Sequence, residues 1–276
     1  MNYDEYTINF KGNVIHYCKF TGGNEVLLAF HGFGQSKEIF SSIAEKLVNY
    51  YTIYALDLFF HGKSIYNFDE QPLSIDTWKE IIKLIREKHN ISSFSICGYS
   101  LGARFALVTL YLFPRYTNTI FLIAPDGIFV SKWYKLAVSC NVTRFLLKFN
   151  IKKPIILHVL KGINFFRLLN PQITKFVIHN LDSIHKRKQV YFSWIVFRNL
   201  ILPQKTLLKI FKCHEKKIIL FVGKYDLLYP KVTFIKLVKK YPNIVLLEVN
   251  ANHTAILPAV ADYLALAGKL KMSGRN

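Results

Sequence analysis

Six short, almost wholly apolar runs constrain this chain more than any other feature. They are "VLLAFH" (26–31), "YTIYALD" (51–57), "FSICG" (94–98), "TIFLIA" (119–124), "KIILFVG" (217–223) and "IVLLEV" (244–249). Successive side chains of a strand point to opposite faces, so a strand apolar at every position must be covered on both. Helical patterns lie among the runs at about 38–49, 74–89, 101–113, 231–240 and 256–270. This alternation predicts the α/β class, with a mostly parallel central sheet flanked by helices. Before the first run, "YTINF" and "VIHYCKF" flank Lys11-Gly12-Asn13 and read as an opening β-hairpin.

From Gly127 to Cys213 the rhythm stops. Several helical patterns occur there, with no clear strand. That segment carries 16 Lys and Arg against one acid, Asp182, a local charge of +15. The remainder has 21 basic and 16 acidic residues, or +5, and the two parts sum to the chain's +20. The expected organisation is therefore a core built from 1–126 and 214–276, with a basic helical cap, or lid, inserted at 127–213. A chain of 276 residues, 51% of them hydrophobic, can bury a core of that size. The cap mixes Lys and Arg with Phe, Trp, Leu and Ile. Amphipathic basic helices of this kind can lie on an anionic membrane. The other reading is a solvated outer face over an apolar acyl pocket. No nucleic-acid partner is expected, because no recognition motif accompanies the charge.

The opening "MNYDEYTINF" lacks the basic-then-apolar layout of a secretory signal. The apolar stretch "VYFSWIVFRNLIL" (190–202) contains Arg198 and is too short to span a bilayer. Four scattered cysteines, without C-x-x-C spacing, read as free thiols in a reducing compartment. The expected location is the cytoplasm, with at most peripheral contact at the inner face of the membrane. No metal site is expected.

Gly98-Tyr99-Ser100-Leu101-Gly102 stands between the strand at 94–98 and a helical run stopped by Pro114. A G-x-S-x-G turn there lifts the serine hydroxyl above the sheet edge, while the glycines keep Cβ atoms out of the crowded crossing. Serine is a poor nucleophile until an imidazole takes its proton, and that imidazole needs a carboxylate to fix its tautomer. Asp226 in "FVGKYDLLYP" and His253 in "EVNANHTAIL" both follow strand ends, where open α/β sheets place their sites. Asp126 in "IAPDG" is a rival acid. The glycine-rich loop "AFHGFGQS" (29–36) supplies a candidate oxyanion donor, the Phe33 N–H, to pair with the Leu101 N–H. His31 reads as a residue that orients this loop. Asp57, His61 and Ser64 share one short loop without a nucleophile turn, and read as a loop held by its own hydrogen bonds.

"HGFG", "DLFFHGKS", "GYSLGA", "GKYDLLYP" and "NHTAIL", in that order, resemble the α/β-hydrolase superfamily, in its serine-nucleophile branch with a helical cap. The resemblance covers most of 24–126 and 214–270. It implies Ser100, Asp226 and His253 as catalytic residues, with Phe33 and Leu101 forming the oxyanion hole. It also implies hydrolysis of a carboxylic ester or thioester with an apolar acyl group, without cofactor. Serine at the elbow separates the chain from the epoxide hydrolase and dehalogenase branches, which carry aspartate there. Two alternatives stay open. "GYSLGAR", with Arg104, resembles the elbow of the menaquinone-biosynthesis lyase, which would use the same triad. A non-catalytic membrane- or ligand-binding module could also use this fold.

Overall fold

The computed structural model describes residues 2–165, 171–213 and 217–273. The strands are β1 (Asp4–Phe10), β2 (Asn13–Phe20), β3 (Glu25–Phe30), β4 (Tyr51–Leu56), β5 (Phe94–Tyr99), β6 (Thr117–Ile123), β7 (Ile218–Gly223) and β8 (Ile244–Val249). They form one sheet in the order β1-β2-β4-β3-β5-β6-β7-β8. The six apolar runs are β3 to β8, all parallel, while β2 is antiparallel to both β1 and β4. Lys11 and Gly12 close the β1–β2 hairpin, both at positive φ (50° and 80°). That is the twist a two-residue hairpin turn requires. The chain steps outward from β3 to β4 and then crosses back to β5. The crevice between the ends of β3 and β5 is thus a topological switch point, where ligands of open α/β sheets bind.

Helices α1 (Ser41–Leu47), α2 (Ile75–Lys88) and α3 (Gly102–Leu112) precede the insertion. The insertion holds α4 (Lys132–Ser139), α5 (Asn141–Lys152), α6 (Ile155–Phe165), α7 (Pro171–Leu181), α8 (Ile184–Val196) and α9 (Gln204–Cys213). Helices α10 (Val232–Lys240) and α11 (Ile256–Ser273) follow it. The helix expected at 38–49 is instead a 3-10 turn, Lys37–Phe40, running into α1. The pleat divides the core in two. Leu28, Phe30 and Ile96 face the cluster that includes α2, α3, α9 and α10, whereas Leu27, Ala29 and Cys97 face α1 and α11. Ser74 caps α2 through the Thr77 N–H (3.0 Å), and the helix buries Trp78, Ile81, Ile82 and Ile85, one face at helical spacing.

Packing divides 127–213. Ile151, Tyr191 and Ile195 form one small cluster, and Leu157, Leu181 and Val190 form another. From Val196 onward, Phe197, Leu200, Leu207 and Phe211 join the main sheet core. Among the described residues no helix is long and apolar enough to cross a membrane.

Helix α3 sits so close to β3 that a Cβ on Gly102 would lie 2.0 Å from the Phe30 carbonyl oxygen. Gly102→Ala is expected to destabilise the fold by about 3 kcal/mol, because one of two backbones must move. A Cβ added to Gly162 on α6 would meet nothing within 4 Å, so Gly162→Ala should be neutral or raise stability by about 0.5 kcal/mol. Thermal melts of the two variants beside the wild type test this, and an unchanged melt for Gly102→Ala would contradict it.

Candidate active site

Ser100 occupies the turn between β5 and α3 with φ of 49°, a left-handed backbone that a non-glycine residue adopts at some energetic cost. The surroundings enforce it. The Ser100 N–H donates to the Ile123 carbonyl (2.9 Å), and its own carbonyl accepts from the Ala103 (3.0 Å) and Asp126 (3.1 Å) amides. A Cβ on Gly98 would lie 2.6 Å from the Ala106 Cβ. The two glycines therefore let strand and helix meet closely enough to force the serine outward.

His253 follows β8, and its Nε2 lies 3.1 Å from the Ser100 Oγ. Its Nδ1 lies 2.8 Å from the Asp226 Oδ2. The carboxylate can only accept here, so Nδ1 carries the proton and Nε2 is free to accept from the serine hydroxyl. Asp226 follows β7, and its Oδ1 accepts the Leu228 (2.8 Å) and Tyr229 (3.0 Å) amides. Burial works to raise the Asp226 pKa. The hydrogen bond and charge of His253, with those two amides, outweigh it and hold the group below its usual value. The Tyr99 hydroxyl donates to the His253 carbonyl (2.6 Å), fixing the loop that carries the imidazole.

The rival acid lies elsewhere. Asp126 Oδ2 is 2.7 Å from Arg104 Nη2. The buried Arg104 guanidinium also lies over the Tyr134 ring, 4.3 Å from its centroid. Asp126, Arg104 and Tyr134 form a support beneath the serine turn, joined to it through the Asp126 amide. Nothing in the residue pattern announced that group, although Arg104 stands four residues after the serine, one helical turn on.

Phe33 and Leu101 sit on the two loops that flank the β3–β5 crevice. Among the described residues, neither amide donates to another protein group. The loop carrying Phe33 is held by His31, whose Nδ1–H donates to the Gly32 carbonyl (2.7 Å) while Nε2 accepts the Leu58 amide (3.0 Å). His31 thus orients the loop and does not contact the serine. Asp57 accepts the Lys37 and Lys63 amides (2.7 and 3.0 Å), and the Ser64 hydroxyl donates to the Asp57 carbonyl (2.7 Å). With the His61 ring against the Phe59 carbonyl (2.9 Å), these bonds hold 57–64 together, and bonds to His16, His31 and Lys37 anchor it to the rest of the core.

Helices between residues 127 and 213 approach the site. Phe33 packs against Leu157, Leu181 and Val190, from α6, α7 and α8. Phe176 of α7 approaches the His253 ring edge-on, at 6.0 Å between centroids. Apolar side chains from α6, α7 and α8 thus lie against the Phe33 loop, and Phe176 of α7 lies against the His253 ring. Among the described residues no group of three or more His, Cys, Asp and Glu side chains could hold a metal ion.

Known proteins share this architecture. The alpha/beta hydrolase fold family matches residues 25–139. Ethanol acetyltransferase 1 of Cyberlindnera fabianii is 25% identical over 120 residues, 43% of this chain and 35% of the relative. Putative esterase/lipase 1 of Mycoplasma genitalium is 29% identical over 119 residues, 43% of this chain and 39% of the relative. The chain thus spans little more than a third of the length of these relatives. Among solved structures, a thioesterase domain from the curacin biosynthetic pathway superposes with a TM-score of 0.66 at 16% identity, covering 97% of this chain and 99% of that one. A thermophilic esterase from Thermogutta terrifontis gives 0.67 at 14% identity, covering 99% and 98%. At such identities the structural likenesses establish the fold alone.

Burial lowers the His31 pKa to about 4 and the His61 pKa to about 3, the latter helped by its His31 neighbour. Both stay neutral in the fold, while the unfolded chain takes up protons near pH 6.5. Between pH 6.5 and about 4 the unfolded state binds more protons, so stability falls on acidification by up to about 1.4 kcal/mol per pH unit for each histidine. Asp226 acts in the same direction at lower pH, since its lowered pKa gives stability that is lost as the carboxylate protonates. Denaturant unfolding at pH 7 and pH 5 checks this, and equal stabilities would contradict it.

Proposed function

Taking as premise that this chain has the α/β-hydrolase fold, we propose that it is a serine hydrolase cleaving a carboxylic ester or thioester through an acyl-enzyme. The observation that carries this reading is the hydrogen-bonded line from Ser100 through His253 to Asp226. His253 Nε2 takes the Ser100 proton as Oγ attacks the carbonyl carbon. The carbonyl oxygen becomes an oxyanion, placed to receive the Phe33 and Leu101 N–H groups. Asp226 stabilises the imidazolium. His253 then gives its proton to the leaving alkoxide or thiolate, and the tetrahedral carbon collapses to the acyl-enzyme. Water, deprotonated by His253, attacks next and releases the acid and Ser100. Each step balances without metal or cofactor.

The apolar packing of Phe33 against Val190, Leu157 and Leu181, and of Phe176 against the His253 ring, supports an apolar acyl group. On this reading α4 to α8 act as the cap through which substrate enters. A second fate of the acyl-enzyme is supported by the matched relatives named alcohol acetyltransferases. There an alcohol, in place of water, would accept the acyl group. The lyase alternative leaned on Arg104. That guanidinium is paired with Asp126 through Nη2, while its Nε and Nη1 have no protein hydrogen-bond partner among the described residues.

A fluorophosphonate should label the wild type at Ser100 and leave Ser100→Ala untouched. Ser100→Ala should lower kcat on p-nitrophenyl esters by at least about 10⁴-fold, and Asp226→Asn by about 10²–10⁴-fold. A series of acyl-chain lengths on p-nitrophenyl and coenzyme A carriers, with and without ethanol, would identify the acyl group and its acceptor. Full activity in Ser100→Ala would overturn the proposal.

A further inference from the structure

The insertion carries a surface that acyl transfer does not use. Helix α5 turns Val142, Phe145, Leu146 and Phe149 toward solvent, with exposures of 67, 65, 58 and 41%. Their spacing is i, i+3, i+4 and i+7, the pattern of a core-facing stripe. Yet the inward side of α5 is already filled by Ile151 and Leu147 against Tyr191 and Ile195. The outward stripe is therefore surplus to the fold. Neighbouring helices extend it, through Trp133 (79% exposed) on α4 and Ile155 (54%) on α6. A groove of about 340 Å³ runs between these helices, floored by Leu136, Leu146, Phe149 and Ile156. Exposed apolar surface on this scale marks an interaction site.

Charge identifies the occupant. Residues 132–161 contain seven Lys and Arg and no acid. Lys132, Lys135, Lys152 and Lys153 are exposed around the apolar stripe. We propose that the outer face of α4, α5 and α6 docks on an anionic lipid bilayer. The aromatic and aliphatic side chains enter the head-group boundary, and the lysines meet lipid phosphates. A second copy of the chain fits this face poorly. A two-fold interface sets like surfaces together, and would bring both sets of cations into one contact. The protein would lie on the bilayer, since no described helix is long and apolar enough to cross it. Docking is independent of the serine chemistry.

Flotation of the full chain with vesicles tests the proposal. Phosphatidylcholine vesicles are compared with vesicles containing about one third phosphatidylglycerol, in low and high salt. Expected is binding to the anionic vesicles in low salt, at least about tenfold weaker on neutral vesicles or in high salt. Phe145→Glu combined with Leu146→Glu, both exposed and outside the core, should weaken binding by a further tenfold or more, roughly. Ser100→Ala should bind like the wild type, which separates this inference from the catalytic reading. Cys140, exposed where α4 meets α5, offers a second readout. An environment-sensitive fluorophore there, in a Cys213→Ser background, should shift to the blue with anionic vesicles only. No binding, or equal binding to both vesicle types, overturns the proposal. So does a stable dimer that fails to bind vesicles and that the Glu pair dissociates, which would assign the face to a second copy.

Discussion

The left-handed turn at Ser100 is the constraint on which the rest of the structure depends. It exists because β3, β5 and α3 approach one another more closely than side chains permit. Gly98 and Gly102 remove the atoms that would collide with Ala106 and Phe30. The Ser100 amide and carbonyl are then bonded to Ile123, Ala103 and Asp126, so the strained φ is held from both neighbouring elements. Overdetermination of this kind is what lets strain persist in a folded protein. The direction of the serine hydroxyl follows from that backbone, and the imidazole can reach it only because β7 and β8 end on the same side of the sheet.

Around that turn the electrostatics are divided by pairing. Asp226 is buried, yet remains a carboxylate because His253 and two backbone amides face it. Asp126 is held by Arg104, which removes it from competition for the imidazole. His31 and His61 are buried without a carboxylate partner and stay neutral. Similar residue types thus take different roles, and the difference lies in their hydrogen-bond partners.

Much of this was legible in the sequence, for physical reasons. A strand buried on both faces must be apolar throughout, so β3 to β8 stand out as runs, and the G-x-S-x-G turn needs its glycines wherever it occurs. Pairing order was not legible. Nothing local in "YTIYAL" says that β4 lies between β2 and β3, because that is set by a long-range crossover. Asp126 and Asp226 both follow strands; the resemblance favours Asp226, but the partner of each, Arg104 for one and His253 for the other, is visible only in the fold. The sharpest limit concerns α5. The spacing of Val142, Phe145, Leu146 and Phe149 would suit a buried face equally well, and only the packing of Ile151 behind them shows which way the helix is turned. Periodicity reports that a helix has an apolar side, but not what that side meets.

On the proposed mechanism Ser100 itself becomes acylated during turnover. Rapid acid quench of the enzyme with an excess of p-nitrophenyl acetate, followed by peptide mapping by mass spectrometry, tests it directly. One acetyl group is expected on the peptide containing Ser100, appearing within the first turnover and disappearing once the ester is consumed. Continued release of nitrophenol with no acetyl on that peptide, or with the acetyl on another residue, would contradict it.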